Sequence, residues 1–255
     1  MKILAVGDIV GDAGTEMFLS KIEQIKRQYA VDFCIANAEN ASSGNGITRR
    51  KAEMLLSGGA DVLTLGNHTF RQKEAAALLM NNQRVLRPLN YPQGTPGRGA
   101  AVYRVGNVRI GVVNAMGRIY MDYMDCPFRG IDKALKNMQA DLIFVDFHAE
   151  ATSEKISMGW HLDGRVTALF GTHTHVQTAD EWVLPKGTGY ITDLGMTGPV
   201  YSCLGVKKEI TLERFINCIP KRFEFADGKC MLCAAVFTVD EATGKTLSVE
   251  RICIR

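Results

Sequence analysis

Short runs of apolar residues, each followed at once by polar residues, recur along the chain. They are KILAVGD, VDFCIANAEN, ADVLTLGNH, DLIFVDFHAE and VTALFGTHTH. Nearly continuous apolar runs of this length are typical of strands that are covered on both faces. Between the first runs, Phe18, Ile22, Ile25 and Tyr29 have helical spacing, and Thr48 is a candidate N-cap for a second helix. Strands that alternate with helices predict an α/β fold.

The second half of the chain adds antiparallel signals. AVYRVGNVRIGVVNA contains Gly106–Asn107 as a hairpin turn, and CMLCAAVFTVDEATGKTLSVERICIR predicts two strands around a DEATGK turn. The first segment predicts a second sheet with antiparallel members, and the carboxy-terminal strands indicate that the chain closes as two packed, mixed sheets with helices outside. No repeat or long linker interrupts the chain, and we expect residues 1–255 to form a single domain.

Composition excludes several classes of protein. The 255 residues are 46% hydrophobic and 22% charged, with a net charge of +3 and scattered basic residues, which does not predict a duplex-binding face. No run approaches the ~18 apolar residues of a membrane span. Seven scattered cysteines suit a reducing compartment, so we expect a cytoplasmic protein. Cys230 and Cys233 form a C-x-x-C without a second pair, in a strand-like run, which disfavours zinc or redox chemistry.

The polar residues at the strand ends have the chemistry of metal ligands. Individually, each residue has an ordinary structural interpretation, such as a helix cap, a turn residue or a core histidine. The carboxyl ends of parallel strands converge at one edge of a sheet, however, and His173 and His175 would face the same way if the strand were still extended there. Together, the polar residues at these strand ends predict a metal site. The candidate ligands are Asp8, Glu39, Asn40, Asn67, His148, His173 and His175.

This donor set is too large for one ion. Two carboxylates, two amides and three imidazoles suit two ions about 3.5–4 Å apart that share a bridging carboxylate. Mixed oxygen and nitrogen donors without a thiolate favour iron or manganese, and zinc as a further option, over magnesium or calcium. The combined positive charge of two such ions would exceed the negative charge of Asp8 and Glu39. This surplus of positive charge favours an anionic substrate such as a phosphate ester.

The sequence lacks the motifs of two other classes of enzyme, the dinucleotide-dependent enzymes and the serine hydrolases of the α/β type. Gly7, Gly11 and Gly14 do not have the G-x-G-x-x-G spacing of a dinucleotide loop, and the sequence contains no G-x-S-x-G elbow. His161 lies away from any predicted strand end, and we expect it to be structural.

Several motifs, in order, resemble those of a known family. GD at 7–8, GNH at 66–68, the histidine of DFHAE and GTHTH resemble the signature of the calcineurin-like metallophosphoesterases. GDIVG, TLGNHTF, VDFHAEATSEK, GTHTHVQTADE and YITDLGMTGP are similar to the YmdB-type phosphodiesterases over almost the whole chain. The resemblance implies a four-layer α/β/β/α sandwich, a dinuclear centre, and hydrolysis of phosphodiesters, with 2′,3′-cyclic nucleotides and also 3′,5′-cyclic ones as the expected substrates.

The resemblance also implies roles for individual residues. One ion would be held by Asp8, Asn40 and His175, and the other by Asn67, His148 and His173. Glu39 would bridge the two ions, and a hydroxide between them would attack phosphorus. His68 would protonate the leaving oxygen or stabilise charge on the phosphoryl group; alternatively, it would only orient Asn67.

The sequence departs from the broad superfamily at several positions. The usual D-x-H has Val10 in place of histidine, and Glu39 replaces the bridging aspartate, as in the YmdB-type pattern. Phe70–Arg71 stands where that pattern commonly has Trp-Asp, which leaves substrate preference open.

Two other functions stay open at this point. A phosphomonoesterase or protein phosphatase could use the same centre, with extra cationic anchors among Arg49, Arg50, Arg71 and Arg118. A non-catalytic regulatory protein could use the metals to organise a partner surface.

Two features of the predicted enzyme are less determined by the sequence. A homo-oligomer is plausible for a cytoplasmic enzyme of this kind. The loop at 42–46 could offer backbone N–H groups to a phosphate or could be a simple turn.

Overall fold

The computed structural model describes residues 1–43 and 45–255. Gly44, in the middle of the 42–46 loop for which both a phosphate site and a simple turn were considered, lies outside the described residues. The strands are Lys2–Val6 (β1), Asp8–Ile9 (β2), Phe33–Asn37 (β3), Val62–Thr64 (β4), Val85–Leu86 (β5), Ala100–Val105 (β6), Val108–Met116 (β7), Leu142–His148 (β8), Ala168–Thr172 (β9), Trp182–Val183 (β10), Gly189–Ile191 (β11), Met196–Pro199 (β12), Cys230–Val239 (β13) and Thr246–Ile254 (β14). The helices are Gly11–Tyr29 (α1), Arg49–Ser57 (α2), Ala75–Asn81 (α3), Pro127–Asn137 (α4), Thr152–Leu162 (α5) and Lys208–Asn217 (α6).

The strands form two mixed sheets. The first has the order β2-β12-β13-β1-β3-β4-β5, with β14 also paired to β13, and the second has the order β10-β11-β9-β8-β7-β6. In the first sheet β1, β3, β4 and β5 are parallel, and in the second β7, β8, β9 and β11 are parallel. In the first sheet the parallel strands form one half, from β1 to the edge strand β5, with antiparallel β13 beside β1, and in the second they form the centre, with antiparallel β10 and β6 at the edges.

Alternation along β1 shows how the layers pack. Leu4 and Val6 contact the residues of α1 and α2, whereas Ile3 and Ala5 point to the second sheet. The second sheet in turn buries its other face against α4 and α5. Because both faces of each sheet are covered, the central strands are almost continuously apolar. The prediction of two mixed sheets flanked by helices, as a four-layer α/β/β/α sandwich, is confirmed.

The local predictions are confirmed as well. The Thr48 hydroxyl accepts a hydrogen bond from the Lys51 N–H at the start of α2 (3.3 Å). Gly106 has a left-handed φ of 57° in the hairpin between β6 and β7, and β13 pairs with β14 around the DEATGK turn. Within the described part of the chain, we find no helix long and apolar enough to cross a bilayer.

Candidate metal centre

The seven predicted ligands lie together at the carboxyl edge of the two sheets. One half of the cluster is formed by Glu39, Asn67, His148 and His173. The His148 Nε2 atom is 3.3 Å from Glu39 Oε1, 3.1 Å from Asn67 Oδ1 and 3.1 Å from His173 Nδ1. One ligand atom each from Glu39, His148 and His173 lies within 4.8 Å of the others, so a single cation could contact all three.

The other half of the cluster is formed by Asp8, Asn40 and His175. The His175 Nε2 atom is 3.6 Å from Asp8 Oδ1 and 3.2 Å from Asn40 Nδ2. Glu39 links the two halves, because Asn40 Nδ2 also donates to Glu39 Oε1 (3.2 Å). Asp8 is fully buried, and its Oδ1 has no hydrogen-bond partner among the described residues. A buried carboxylate oxygen without a donor is costly unless a cation binds it.

The side-chain amide of Asn40 has the opposite orientation from that of a metal ligand, which must direct its oxygen to the ion. Its amide nitrogen faces the cluster, while its Oδ1 accepts from His68 Nδ1 (2.8 Å). A half-turn of the amide would direct the oxygen to a cation, and His68 Nδ1 would keep Glu39 Oε1 as a partner at 3.0 Å.

The structure corrects the reason given for the convergence of His173 and His175. Strand β9 ends at Thr172, so the two histidines are not in an extended strand. Both have left-handed backbones, with φ of 100° at His173 and 65° at His175. Such conformations cost about 1–3 kcal/mol each for residues other than glycine, and they persist where the surroundings hold them.

A buried ion pair holds this turn. The Lys155 Nζ is 2.6 Å from Asp193 Oδ2, and both side chains are 1% exposed. Asp193 Oδ2 also accepts from the N–H of Thr174, between the two histidines (3.2 Å), and its Oδ1 accepts from Gly195 N–H (2.8 Å). No sequence pattern predicts this pair, although both residues lie in motifs that carry the family resemblance.

A second buried network orients His148. The Thr172 hydroxyl donates to Asp146 Oδ1 (2.7 Å), so it accepts from Nδ1–H of His148 (2.9 Å) and leaves Nε2 to face the cluster. Asn37 donates to the other oxygen of Asp146 and accepts from the backbone N–H of Glu39. Burial raises the pKa of Asp146 to about 6. The sequence signal for this residue was an aspartate inside the apolar run LIFVDFH.

The remaining electrostatics favour a bound cation. Burial opposes ionisation of Glu39, but the neighbouring imidazoles of His148 and His68 hold its pKa well below the usual range. Burial likewise lowers the pKa of His148, yet the Glu39 and Asp8 carboxylates raise it to about 9. Burial and the adjacent His148 lower the pKa of His173 to about 3, which keeps this imidazole neutral. In the absence of metal, protons therefore occupy part of the cage.

Gly66 lets the cage close. A Cβ atom at this position would lie 2.2 Å from His148 Nε2 and 2.4 Å from Glu39 Oε2. Any side chain there would displace two candidate ligands. The glycine of the GNH motif is therefore a steric requirement.

His68 lies at the rim of the cluster. Its backbone N–H donates to Glu39 Oε2 (2.9 Å), and its Nε2 is 3.3 Å from the amide nitrogen of Asn45. The side chain is 20% exposed, whereas Glu39 beside it is buried. His161 lies elsewhere, between Asp132 and Arg165, as expected for a structural histidine.

The donor set fits a pair of cations. Carboxylates and imidazoles face one cage, the outer nitrogens of His148 and His175 are held by Thr172 and the Leu204 carbonyl, and Asp8 Oδ1 lacks a donor among the residues described. Within a four-layer α/β/β/α sandwich, such a cage at the strand ends defines the class of calcineurin-like metallophosphoesterases.

Comparisons with known proteins identify the family within this class. A family model described as YmdB-like protein matches residues 4–252, and the chain belongs to that family. The chain is 43% identical over 256 residues to a 2′,3′-cyclic-nucleotide 2′-phosphodiesterase of Bacillus subtilis, covering 100% of this chain and 97% of the relative.

Solved structures agree with this assignment. A hypothetical protein from Thermus thermophilus superposes with a TM-score of 0.95 at 42% identity, covering 100% of this chain and 99% of the other. A structure described as a novel phosphatase from Mycoplasma pneumoniae also has a TM-score of 0.95, at 35% identity, covering 100% of this chain and 93% of the other.

Proposed function

We propose that this protein is a dinuclear metal-dependent phosphodiesterase that hydrolyses 2′,3′-cyclic nucleotides, with 3′,5′-cyclic nucleotides as a second substrate class. The observation that carries the proposal is the convergence of seven donor side chains from separate strand ends around one buried cage. The name of the Bacillus relative supports the substrate class.

The ligand roles follow the two halves of the cage. Asp8, Asn40 and His175 would hold one ion, Asn67, His148 and His173 the other, and Glu39 would contact both. Iron or manganese fits the mixed oxygen and nitrogen donors, and zinc is a further option. Bound cations would supply Lewis acidity toward the phosphate and lower the pKa of a shared water.

His68 would act on the substrate from the rim. Its Nδ1 is anchored to Asn40 and Glu39, so Nε2 would be the ring atom that faces the leaving oxygen. A proton held at Nε2 would pass to that oxygen as the P–O bond breaks. The Asn45 amide nitrogen, 3.3 Å from Nε2, can donate to it only when Nε2 carries no proton, so it would hold the ring after the proton has left.

A phosphomonoesterase on the same centre is the second candidate, since one solved relative is described as a phosphatase. A monoester dianion carries more negative charge than a diester and would gain more from nearby cations. Arg71 is exposed beside His68 and is the first anchor to test.

The test compares matched substrates. The purified protein, analysed for metal content before any chelator is added and then loaded with iron or manganese, is offered 2′,3′-cyclic AMP and the corresponding nucleoside monophosphates. Cleavage of the cyclic diester with little release of inorganic phosphate supports the proposal. Preferential cleavage of the monoester would favour the second candidate, and bound metals without turnover of either would favour a regulatory role.

Two variants test the assigned residues. His68→Ala should lower kcat for the diester by about 10²–10⁴-fold while metal content stays unchanged, because general acid catalysis contributes on that order. Asp8→Asn should lower metal content as well as activity. His161→Ala is the matched control, since that imidazole lies outside the cage, bonded to Asp132 (2.9 Å). Unchanged cleavage in His68→Ala would contradict its role.

A further inference from the structure

A cavity of about 590 Å³ opens beside the candidate metal centre. Its walls come from the loop that follows β7 and from the first turns of α5, with Phe128 of α4 at the back. Cavities of this size, roughly 300–1,000 Å³, are typical of small-molecule sites. None of the candidate metal ligands lines it, so it is a separate compartment.

The cavity shares its supporting strands with the metal cage. Met116, the last residue of β7, pairs with His148, and the N–H of Gly117 donates to the His148 carbonyl (3.0 Å). The cavity wall begins at the next residue, Arg118. On the other side, Glu150 contacts His173 Nε2 (3.1 Å) and stands just before α5. A ligand that spans both compartments needs to cross only this shared rim.

Glu154 fixes the loop in place. This buried carboxylate accepts from the backbone N–H groups of Arg118 (3.1 Å to each oxygen) and Ile119 (3.3 Å). A Cβ at Gly117 would lie 2.5 Å from Glu154 Oε2, so only glycine allows this close approach. The start of the loop is therefore fixed by hydrogen bonds to a buried carboxylate.

The lining suits a nucleoside. Met121, Met124 and Phe128 provide apolar surface for a flat ring, and the Arg118 guanidinium provides a planar face on which a base can stack. Ser153 and Ser157, one helical turn apart on α5, offer hydroxyl donors and acceptors for polar edges of the base or ribose. A phosphate group alone would make no use of the apolar wall.

We infer that this cavity is the subsite for the nucleoside part of the substrate, while the phosphodiester lies at the metal cage. This inference rests on the proposed function. It gives the loop after β7 and the first two turns of α5 a direct part in substrate selection.

The test fills the cavity without touching the cage. Ser157 is exposed on α5 and lines the cavity, so Ser157→Trp places an indole inside it with little effect on the fold. Ile156→Trp is the matched control, because Ile156 is an exposed neighbour on the same helix that lines a different groove. Each metal-loaded protein is assayed with 2′,3′-cyclic AMP and with methyl p-nitrophenyl phosphate, a diester without a nucleoside.

Ser157→Trp should raise KM for 2′,3′-cyclic AMP at least about tenfold and change KM for the small diester by less than about twofold, because only the first substrate loses buried contacts. Ile156→Trp should change neither. An equal change for both diesters, or no change for the cyclic nucleotide, would overturn the inference.

A binding measurement separates this inference from the proposed activity. Saturation-transfer NMR with adenosine, which has no phosphate, should detect binding to the wild type and to Ile156→Trp and its loss in Ser157→Trp. Absence of adenosine binding to the wild type would refute the subsite even if diesters are cleaved. Adenosine binding without cleavage of any diester would instead refute the proposed function and leave a nucleoside site in place.

Discussion

The ion pair between Lys155 and Asp193 offers a quantitative test of how the His173–His175 turn is held. Both side chains are 1% exposed, and Nζ and Oδ2 are 2.6 Å apart. Lys155→Met removes the cation and leaves the Asp193 carboxylate buried, with the backbone N–H groups of Thr174 and Gly195 as its donors among the described residues. Because an uncompensated buried charge remains, we expect a loss of about 3–5 kcal/mol in the free energy of unfolding.

The double variant Lys155→Met, Asp193→Asn removes both charges. Without a buried charge to desolvate, it should recover at least about 2 kcal/mol relative to the sum of the two single variants. The free energy of unfolding is measured by urea titration followed by circular dichroism, with all variants metal-free. The matched control is the pair of Arg109 and Asp141, which is similarly short (2.8 Å) but 39% and 35% exposed.

For the exposed control pair we expect a much smaller loss in the free energy of unfolding from the same substitutions, because water screens its charges. Two results would contradict this expectation. One is a loss in the free energy of unfolding for Lys155→Met that is no larger than for Arg109→Met. The other is a double variant at the buried pair whose loss equals the sum of the losses of the two single variants. Asp193→Asn should also weaken metal binding by about 10–100-fold, because it loosens the backbone between two candidate ligands. Asp141→Asn should leave metal affinity unchanged.

Three further predictions concern single groups. Thr172→Val removes the acceptor that fixes the His148 tautomer, and should lower metal affinity by about 10–100-fold in competition with a chromophoric chelator. Burial lowers the pKa of His148, but the Glu39 and Asp8 carboxylates together raise it to about 9, so metal binding near neutral pH should release a proton and tighten as pH rises toward that value; equal calorimetric heats in buffers of different ionisation enthalpy would contradict this. Burial raises the pKa of the Cys34 thiol to about 12, so it should resist a thiol reagent that labels exposed Cys218, until urea unfolds the protein; peptide mapping checks this.

The sequence predicted the architecture well because the physics of covered strands is local. Leu4 and Val6 on one face of β1, with Ile3 and Ala5 on the other, produce an apolar run that can be recognised without knowledge of the neighbours. Candidate ligands were found for a similar reason, since polar residues that follow such a run fall at the edge where parallel strands end.

The residues that hold the ligands in place could not be found in this way. Lys155 and Asp193 are far apart in sequence, and a lysine in a helix is ordinarily solvated. Only the packing of α5 against the end of β11 brings the pair together and excludes water. The Asp146 network gave a weak signal, but its partners Thr64 and Thr172 come from two different sheets.

The left-handed backbone at His173 and His175, where an extended strand was expected, has a physical consequence for the cage. An extended strand would have aimed both imidazoles in one direction at no conformational cost, whereas the protein adopts two left-handed residues and fixes them with a buried ion pair. This arrangement directs His173 to Glu39 and His148, and His175 to Asp8 and Asn40, so each histidine serves a different half of the cage. Two parallel imidazoles would have crowded one ion. In the two-ion site that we propose, the strained turn would supply one histidine to each cation, and the buried ion pair would hold the turn in that conformation.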